Sequence, residues 1–181
     1  MTIRPETPKD FSTIHALIKD AFQTAKVKDG DEQDFARALR RSANYIPALA
    51  LVAEDDDGRI VGHIMLTRTR VEQFSGLPYA GLLLEPLSVD KRHQGRGIGR
   101  ALVNHALLLA GQMGYAAVFL CGDVDYYARF GFKPLSYYGL GSHDIRHLPH
   151  ALACELTPGA LSEVAGGTVD CWELEKAAVC A

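Results

Sequence analysis

The chain has 181 residues, 48% hydrophobic and 23% charged, which is enough for one domain with its own core and is ordinary for a globular protein. A net charge of −3 and a pI of about 6.1 argue against a general polyanion binder, whose affinity needs many basic contacts. No apolar run approaches bilayer-spanning length, and Met-Thr-Ile-Arg-Pro-Glu-Thr at the start lacks the apolar core of a secretory signal. A cytoplasmic protein is therefore expected, with no nucleic-acid partner and no membrane insertion. The cysteines Cys121, Cys154, Cys171 and Cys180 have no C-x-x-C spacing and read as reduced thiols. Cys121 lies in an apolar run and reads as packing.

In chain order, Thr2 to Arg4 reads as a short strand. Thr7 or Asp10 can cap a helix whose apolar face is Phe11, Ile14, Leu17, Ile18 and Phe22. After a polar loop containing Gly30, Asp31 leads a second helix with Phe35, Leu39 and Ala38 as its apolar face. Residues 48 to 54 and 59 to 72 read as strands joined by Asp55-Asp56-Asp57-Gly58, a hairpin turn in which Asp-Gly is the strongest signal. Gly76-Leu77-Pro78 turns the chain into a central strand ending at Val89. A helix over 97–113 follows, with Ile98, Leu102, Ala106, Leu109 and Met113 on one face and Gly114 placed to end it. Ala116 to Cys121 reads as a strand buried on both faces. Asp123 starts a short helix that stops at Gly131. From Phe132 the chain is an extended connection, and Ala151 to Leu156 is a late strand. Three antiparallel strands and then strand–helix–strand predict an α/β fold of the α+β type. Its sheet is mixed, mostly antiparallel, with a right-handed crossover between two parallel strands.

The densest chemistry lies between Leu82 and Leu102. An apolar strand ends at Val89, a basic loop follows, and Gly95, Gly97 and Gly99 precede the helix. Strand, glycine loop and helix start make an anion site: free backbone N–H groups and the positive end of the helix dipole point into the loop. Arg92, Arg96 and Arg100 add positive charge. The dinucleotide fingerprint G-x-G-x-x-G/A fails in both registers, because its third glycine falls on Arg100 or Leu102. The Walker Lys-Ser/Thr pair is absent. Gln94-Gly95-Arg96-Gly97-Ile98-Gly99 does fit Q/R-x-x-G-x-G/A. That loop resembles the pyrophosphate motif of the GNAT superfamily of acyl-CoA-dependent N-acyltransferases. Gly122 to Phe132, with Tyr127, Gly131 and Phe132 at the motif positions, resembles the Tyr-x-x-x-Gly-Phe segment after the fifth strand of the same superfamily. The likeness is dense at 84–132 and extends by element order over residues 1–157.

The resemblance implies one GNAT-like domain over 1–181, with a C-terminal extension from about 158 to 181, flanking helices and splayed parallel fourth and fifth strands. It implies acetyl-CoA or another acyl-CoA as co-substrate, no metal, and transfer of an acetyl or short acyl group to an amine acceptor in a ternary complex. Gln94, Gly95, Arg96, Gly97, Ile98, Gly99 and Arg100 would hold the pyrophosphate. Leu87, Ser88 and Val89 would give main-chain contacts to pantetheine, with an N–H near Val89 facing the thioester oxygen. Tyr127 would protonate the leaving thiolate. Glu85, acidic inside an apolar strand, is the candidate base, because burial raises a carboxyl's pKa; His63 and Glu72 are weaker ones. The early helical region would form part of the acceptor site. Homodimers are common in the superfamily. A non-catalytic acyl-CoA-binding sensor or interaction module on the same fold is the alternative; retention of Tyr127 favours the enzyme. His143, His147 and His150 with Asp144 suggest a metal, but solvated loop histidines are the better reading.

Overall fold

The computed structural model describes residues 1–74, 76–142 and 148–169. Among the described residues, the strands of four residues or more fall where alternation and turn chemistry place them, and three two-residue strands add to them. They are β1 (Thr2–Pro5), β2 (Ala50–Glu54), β3 (Ile60–Glu72), β4 (Tyr79–Val89), β5 (Ala117–Cys121), β6 (Lys133–Pro134), β7 (Gly141–Ser142), β8 (Ala151–Glu155) and β9 (Thr168–Val169). The helices are α1 (Phe11–Phe22), α2 (Glu32–Arg41), α3 (Ile98–Gln112) and α4 (Val124–Tyr127). Hydrogen-bonded neighbours run β1-β2-β3-β4-β5-β8-β6, and β9 pairs with both β3 and β7. The β2–β3 turn is closed by Asp55. Its N–H donates to the Arg59 carbonyl at 2.9 Å, and its Oδ1 accepts from the N–H groups of Asp57 and Arg59. β4 and β5 pair in parallel at Leu82 with Val118 and Leu83 with Phe119; β4 continues to Val89.

Contacts divide the chain into two compact units, Met1–Thr67 with Leu84–Leu109 and Arg68–Leu83 with Ala110–Ala181. In the first, Gly62 and His63 are consecutive on β3, so their side-chain directions point to opposite faces of the sheet. A Cβ on Gly62 would stand 2.9 Å from Ile98 Cγ2 and from Leu102 Cδ1, so α3 covers that face closely. His63 reaches Glu6 on the other face, where Ile14, Ile18, Ala36 and Val52 form a buried cluster. Helices on both faces explain why β3 is buried without a break from Val61 to Thr67. Arg4 joins β1 to its surroundings through Asp10 at 2.8 Å and Glu54 at 2.6 Å.

Two predicted faces need correction. On α2 the buried residues are Glu32, Gln33, Ala36 and Leu39; Phe35 and Ala38 are half-exposed. The cluster with α1 needs a small side chain, and Ala36 supplies it. On α3 the buried residues are Ile98, Leu102, Val103, Ala106 and Ala110, whereas Met113 lies past the last turn and is 46% exposed. Gly114 ends this helix at φ +86°, with the Tyr115 N–H donating to the Ala110 carbonyl at 3.1 Å.

The second unit has its own core of Val71, Leu83, Phe119, Leu135, Leu140, Leu161 and Val164 with smaller residues between them. The chain after Phe132 is more than a connection. Lys133 and Pro134 pair with Ala153 and Leu152 of β8. Residues past 158 also join the sheet, with Val169 opposite Val71 on β3. No helix among the described residues is long and apolar enough to cross a membrane.

Candidate functional site

The loop between β4 and α3 is built from Asp90 outward. The Asp90 N–H donates to the Val61 carbonyl at 2.9 Å, which fixes the end of β4 against β3. The Asp90 carboxylate accepts from the Arg92 N–H at 2.8 Å and from the Arg92 side chain, and lies 3.3 Å from His93 Nδ1. The Arg92 guanidinium is the largest of several influences that hold this carboxyl well below the usual carboxylate range. Lys91 reaches back to Asp20 and Gln23 at 3.0 Å each. Gln94 donates from Nε2 to the Val89 carbonyl at 3.2 Å. Sequence reasoning missed Asp90. An Asp directly before a basic triplet is the signal for such a turn.

This anchoring changes the charge assignment. Arg92 is taken up by Asp90, so Arg96 and Arg100 are the exposed cations left on the loop. Gly95 and Gly97 have φ of +74° and +84°, and nothing lies within 4 Å of where a Cβ would stand on either. Glycine is there for backbone conformation and open approach, not to avoid the protein's own atoms. The Ala101 N–H donates to the Gly97 carbonyl at 2.9 Å. The N–H groups of Ile98, Gly99 and Arg100 precede that bond, so they have no partner inside α3 and face outward at the helix start.

On β4, Leu87 and Val89 are half-buried and Ser88 is buried. Glu85 shares the half-buried positions with Leu87 and Val89, and its Oε2 is out of contact with solvent. Glu72 is exposed at the end of β3, whereas His63 is fully buried and 3.0 Å from Glu6.

Tyr127 belongs to the second unit. Asp123 caps α4, accepting from the Asp125 N–H at 3.1 Å, and its carbonyl takes the Tyr127 N–H at 3.0 Å. The ring is 9% exposed and packs edge-on against Tyr126 and Phe132, with centroids 5.0 and 5.6 Å away. Gly131 at φ +87° closes the turn that brings Phe132 under it. Tyr126 makes a different contact, with the Arg129 guanidinium 4.9 Å from its ring centre. Cys121 and Cys154 are not in disulfides, and burial raises the pKa of the latter. Of the suggested metal ligands, His143, Asp144 and His147 lie outside the described residues, and His150 is exposed. Among the described residues no group of three metal-binding side chains comes together.

The sequence model of the acetyltransferase (GNAT) domain matches residues 47–134. The uncharacterized N-acetyltransferase YhbS of Escherichia coli K12 is 34% identical over 146 residues, covering 81% of this chain and 78% of that protein. This chain belongs to the GNAT family. Its fold is that of GNAT crystal structures. Escherichia coli YhbS in complex with CoA superposes with a TM-score of 0.82 at 28% identity, over 97% of this chain and 91% of that one. A GNAT family acetyltransferase from Brucella melitensis in complex with acetyl-CoA gives 0.65 at 33% identity, over 73% and 82%. The GNAT model spans the glycine loop and the Tyr127 segment together, the two stretches that carried the resemblance.

Proposed function

We propose that this GNAT chain transfers an acetyl or short acyl group from acyl-CoA directly to an amine, without a covalent enzyme intermediate. The observation that carries this reading is the loop over 94–100. Two glycines in left-handed conformation, open space above them, outward N–H groups at the start of α3 and two exposed arginines together suit a pyrophosphate. CoA in the YhbS crystal structure and acetyl-CoA in the Brucella one support the same ligand here.

In this reading Gln94 to Arg100 hold the pyrophosphate, and Leu87, Ser88 and Val89 lie along pantetheine. A main-chain N–H near Val89 polarises the thioester carbonyl, a contact worth up to a few kcal/mol on the developing oxyanion. The amine nitrogen bonds to the carbonyl carbon, and the carbon–sulfur bond breaks. Tyr127 gives its proton to the thiolate, and Glu85 is placed on β4 to accept one from the amine. The whole chain acts as one catalytic domain.

Calorimetric titration with acetyl-CoA, beside ATP and NAD, tests the loop. Micromolar binding selective for acetyl-CoA is expected, followed by thiol release in the presence of an amine. Binding of ATP or NAD instead refutes the assignment. Acetyl-CoA binding without turnover against any amine makes the chain a sensor module.

A further inference from the structure

Glu6, just past β1, has a fully buried carboxylate. It accepts two bonds from Arg40 on α2, at 2.7 and 2.8 Å, and one from the Tyr45 hydroxyl at 2.9 Å. Its fourth contact is with His63 Nε2 at 3.0 Å. Burial alone would raise the pKa of Glu6, but the Arg40 and His63 contacts outweigh it and hold the carboxyl at about 2. An ionised carboxylate only accepts, so the hydrogen in the His63 contact sits on Nε2. Burial keeps the ring neutral. Nδ1 therefore presents a lone pair, and it is buried with no hydrogen-bond partner.

Ser88 Oγ on β4 is likewise buried and unpartnered. The two residues belong together. β3 and β4 are hydrogen-bonded neighbours joined by a short hairpin loop, hence antiparallel. The bond from the Asp90 N–H to the Val61 carbonyl sets Ser88 opposite His63 in that register. Opposed side chains share a face, with Cβ atoms about 5 Å apart. Leaving a buried polar atom unpaired costs about 1–3 kcal/mol, and here two such atoms lie on one face of the sheet at opposed positions, not hydrogen-bonded to each other. A hydroxyl rotor and a basic lone pair are complementary as donor and acceptor.

We propose that Ser88, His63 and Glu6 form a proton relay that drains the proton from the attacking amine. The proposal rests on the acyl-transfer reading, in which Ser88 lies along the acyl-pantetheine. Before the carbon–nitrogen bond forms, an ammonium acceptor passes one proton to Ser88 Oγ while the serine's own proton moves to His63 Nδ1, which leaves a neutral amine to attack; the second proton, lost as the carbon–sulfur bond breaks, goes to Glu85. Glu6 stabilises the imidazolium so formed, and the thiolate takes its proton separately. His63 and Glu6 are positioning residues that act through Ser88. Among the described residues, Glu6 and Arg40 are the charged groups that act on the imidazole, and the Tyr45 hydroxyl bonds the same carboxylate. Burial is the largest influence and keeps the ring uncharged, with Glu6 acting against it and Arg40 with it.

The test compares wild type with Ser88→Ala and His63→Gln in acetyl-CoA turnover over a panel of primary amines between pH 6 and 9.5. The relay predicts a tenfold or larger loss of kcat at pH 7 and an unchanged KM for acetyl-CoA. The deficit shrinks as pH rises and more amine arrives deprotonated. A purely structural role gives a deficit that does not change with pH, and that result, or no deficit, overturns the relay. Nitrogen-15 spectra of labelled histidine provide a check free of turnover: His63 should be the Nε2–H tautomer at pH 7. An Nδ1–H tautomer overturns the relay whatever the activity. Wild type that binds acetyl-CoA but turns over no amine overturns the acyl-transfer reading and the relay with it. An active wild type with a pH-flat deficit overturns the relay alone.

Discussion

The ring of Tyr127 lies against the backbone of Gly122. A Cβ at position 122 would stand 2.5 Å from Tyr127 Cε2 and 3.0 Å from Cδ2. An aromatic ring cannot fold away from such a contact as a flexible chain end can. Gly122→Ala should therefore displace the hydroxyl of Tyr127. A misplacement of about 1 Å can cost on the order of a hundredfold in rate. We expect kcat to fall by about tenfold to a hundredfold while the calorimetric affinity for acetyl-CoA stays at the wild-type value. An unchanged kcat would show that the ring's position does not matter to the reaction.

Tyr127→Phe isolates the hydroxyl from the packing. The ring keeps its contacts with Tyr126 and Phe132, so the thermal midpoint should hold. General acid catalysis contributes about a hundredfold or more. Steady-state kinetics should show that loss in kcat with little change in acyl-CoA binding. Equal activity at every pH removes Tyr127 from the mechanism.

Gly97 carries the loop's conformation. At φ +84° any other residue is strained, by about 1 kcal/mol, yet no atom blocks a side chain. Gly97→Ala should lower the thermal midpoint by only a few degrees. Gly97→Glu adds a carboxylate where the pyrophosphate would lie. Circular dichroism should show a folded protein, and calorimetry no acetyl-CoA binding. Wild-type affinity in the glutamate variant would refute the loop's role.

The sequence was most legible where backbone chemistry leaves a residue signature. The left-handed glycines at 95, 97, 114 and 131, the Asp55–Gly58 turn and the α1 face all appear as spacing, because φ > 0 and helical periodicity constrain residue type directly. The two motifs carried the family for the same reason. Less legible were contacts between residues far apart in the chain. Nothing near Glu6 announces His63, which is 57 positions away, or Arg40. The Glu6 network is fixed by which face of β3 meets α2, and that is a property of packing. Periodicity places Phe35 in the core, but close packing of α1 and α2 puts the smaller Ala36 there. Composition shows the loop charges as free and hides Asp90, whose turn pairs with Arg92.

Gly62 sets how closely α3 can approach the sheet. With Ile98 Cγ2 and Leu102 Cδ1 each 2.9 Å from a Cβ there, Gly62→Val forces the first turn of α3 outward. Overpacking of this kind costs about 1–3 kcal/mol. The same turn supplies the outward N–H groups at the loop, so acetyl-CoA affinity should fall along with the thermal midpoint. A variant that loses stability but keeps its affinity would separate α3 packing from ligand binding.

The buried Glu6–His63 pair makes the fold sensitive to acid in two windows. His63 is pushed by burial below its ordinary 6.5, so the unfolded chain takes up a proton that the folded chain refuses. The stability it contributes is full above 6.5 and declines as pH drops below that value. Glu6 is held at about 2 against an ordinary 4.5. Its contribution, on the order of 3 kcal/mol, is full above 4.5 and is lost as pH falls toward 2. Thermal midpoints measured from pH 8 down to pH 3 should therefore begin to fall near 6.5 and steepen below 4.5. His63→Gln should flatten the upper window and leave the lower one. Glu6→Gln strands the buried Arg40 charge and should destabilise by about 3–5 kcal/mol above pH 4.5, a deficit that narrows at lower pH as wild type protonates its own Glu6. It should also lose the steep lower window. A His63→Gln profile parallel to wild type between 6.5 and 4.5 would mean that the imidazole is already charged in the folded protein.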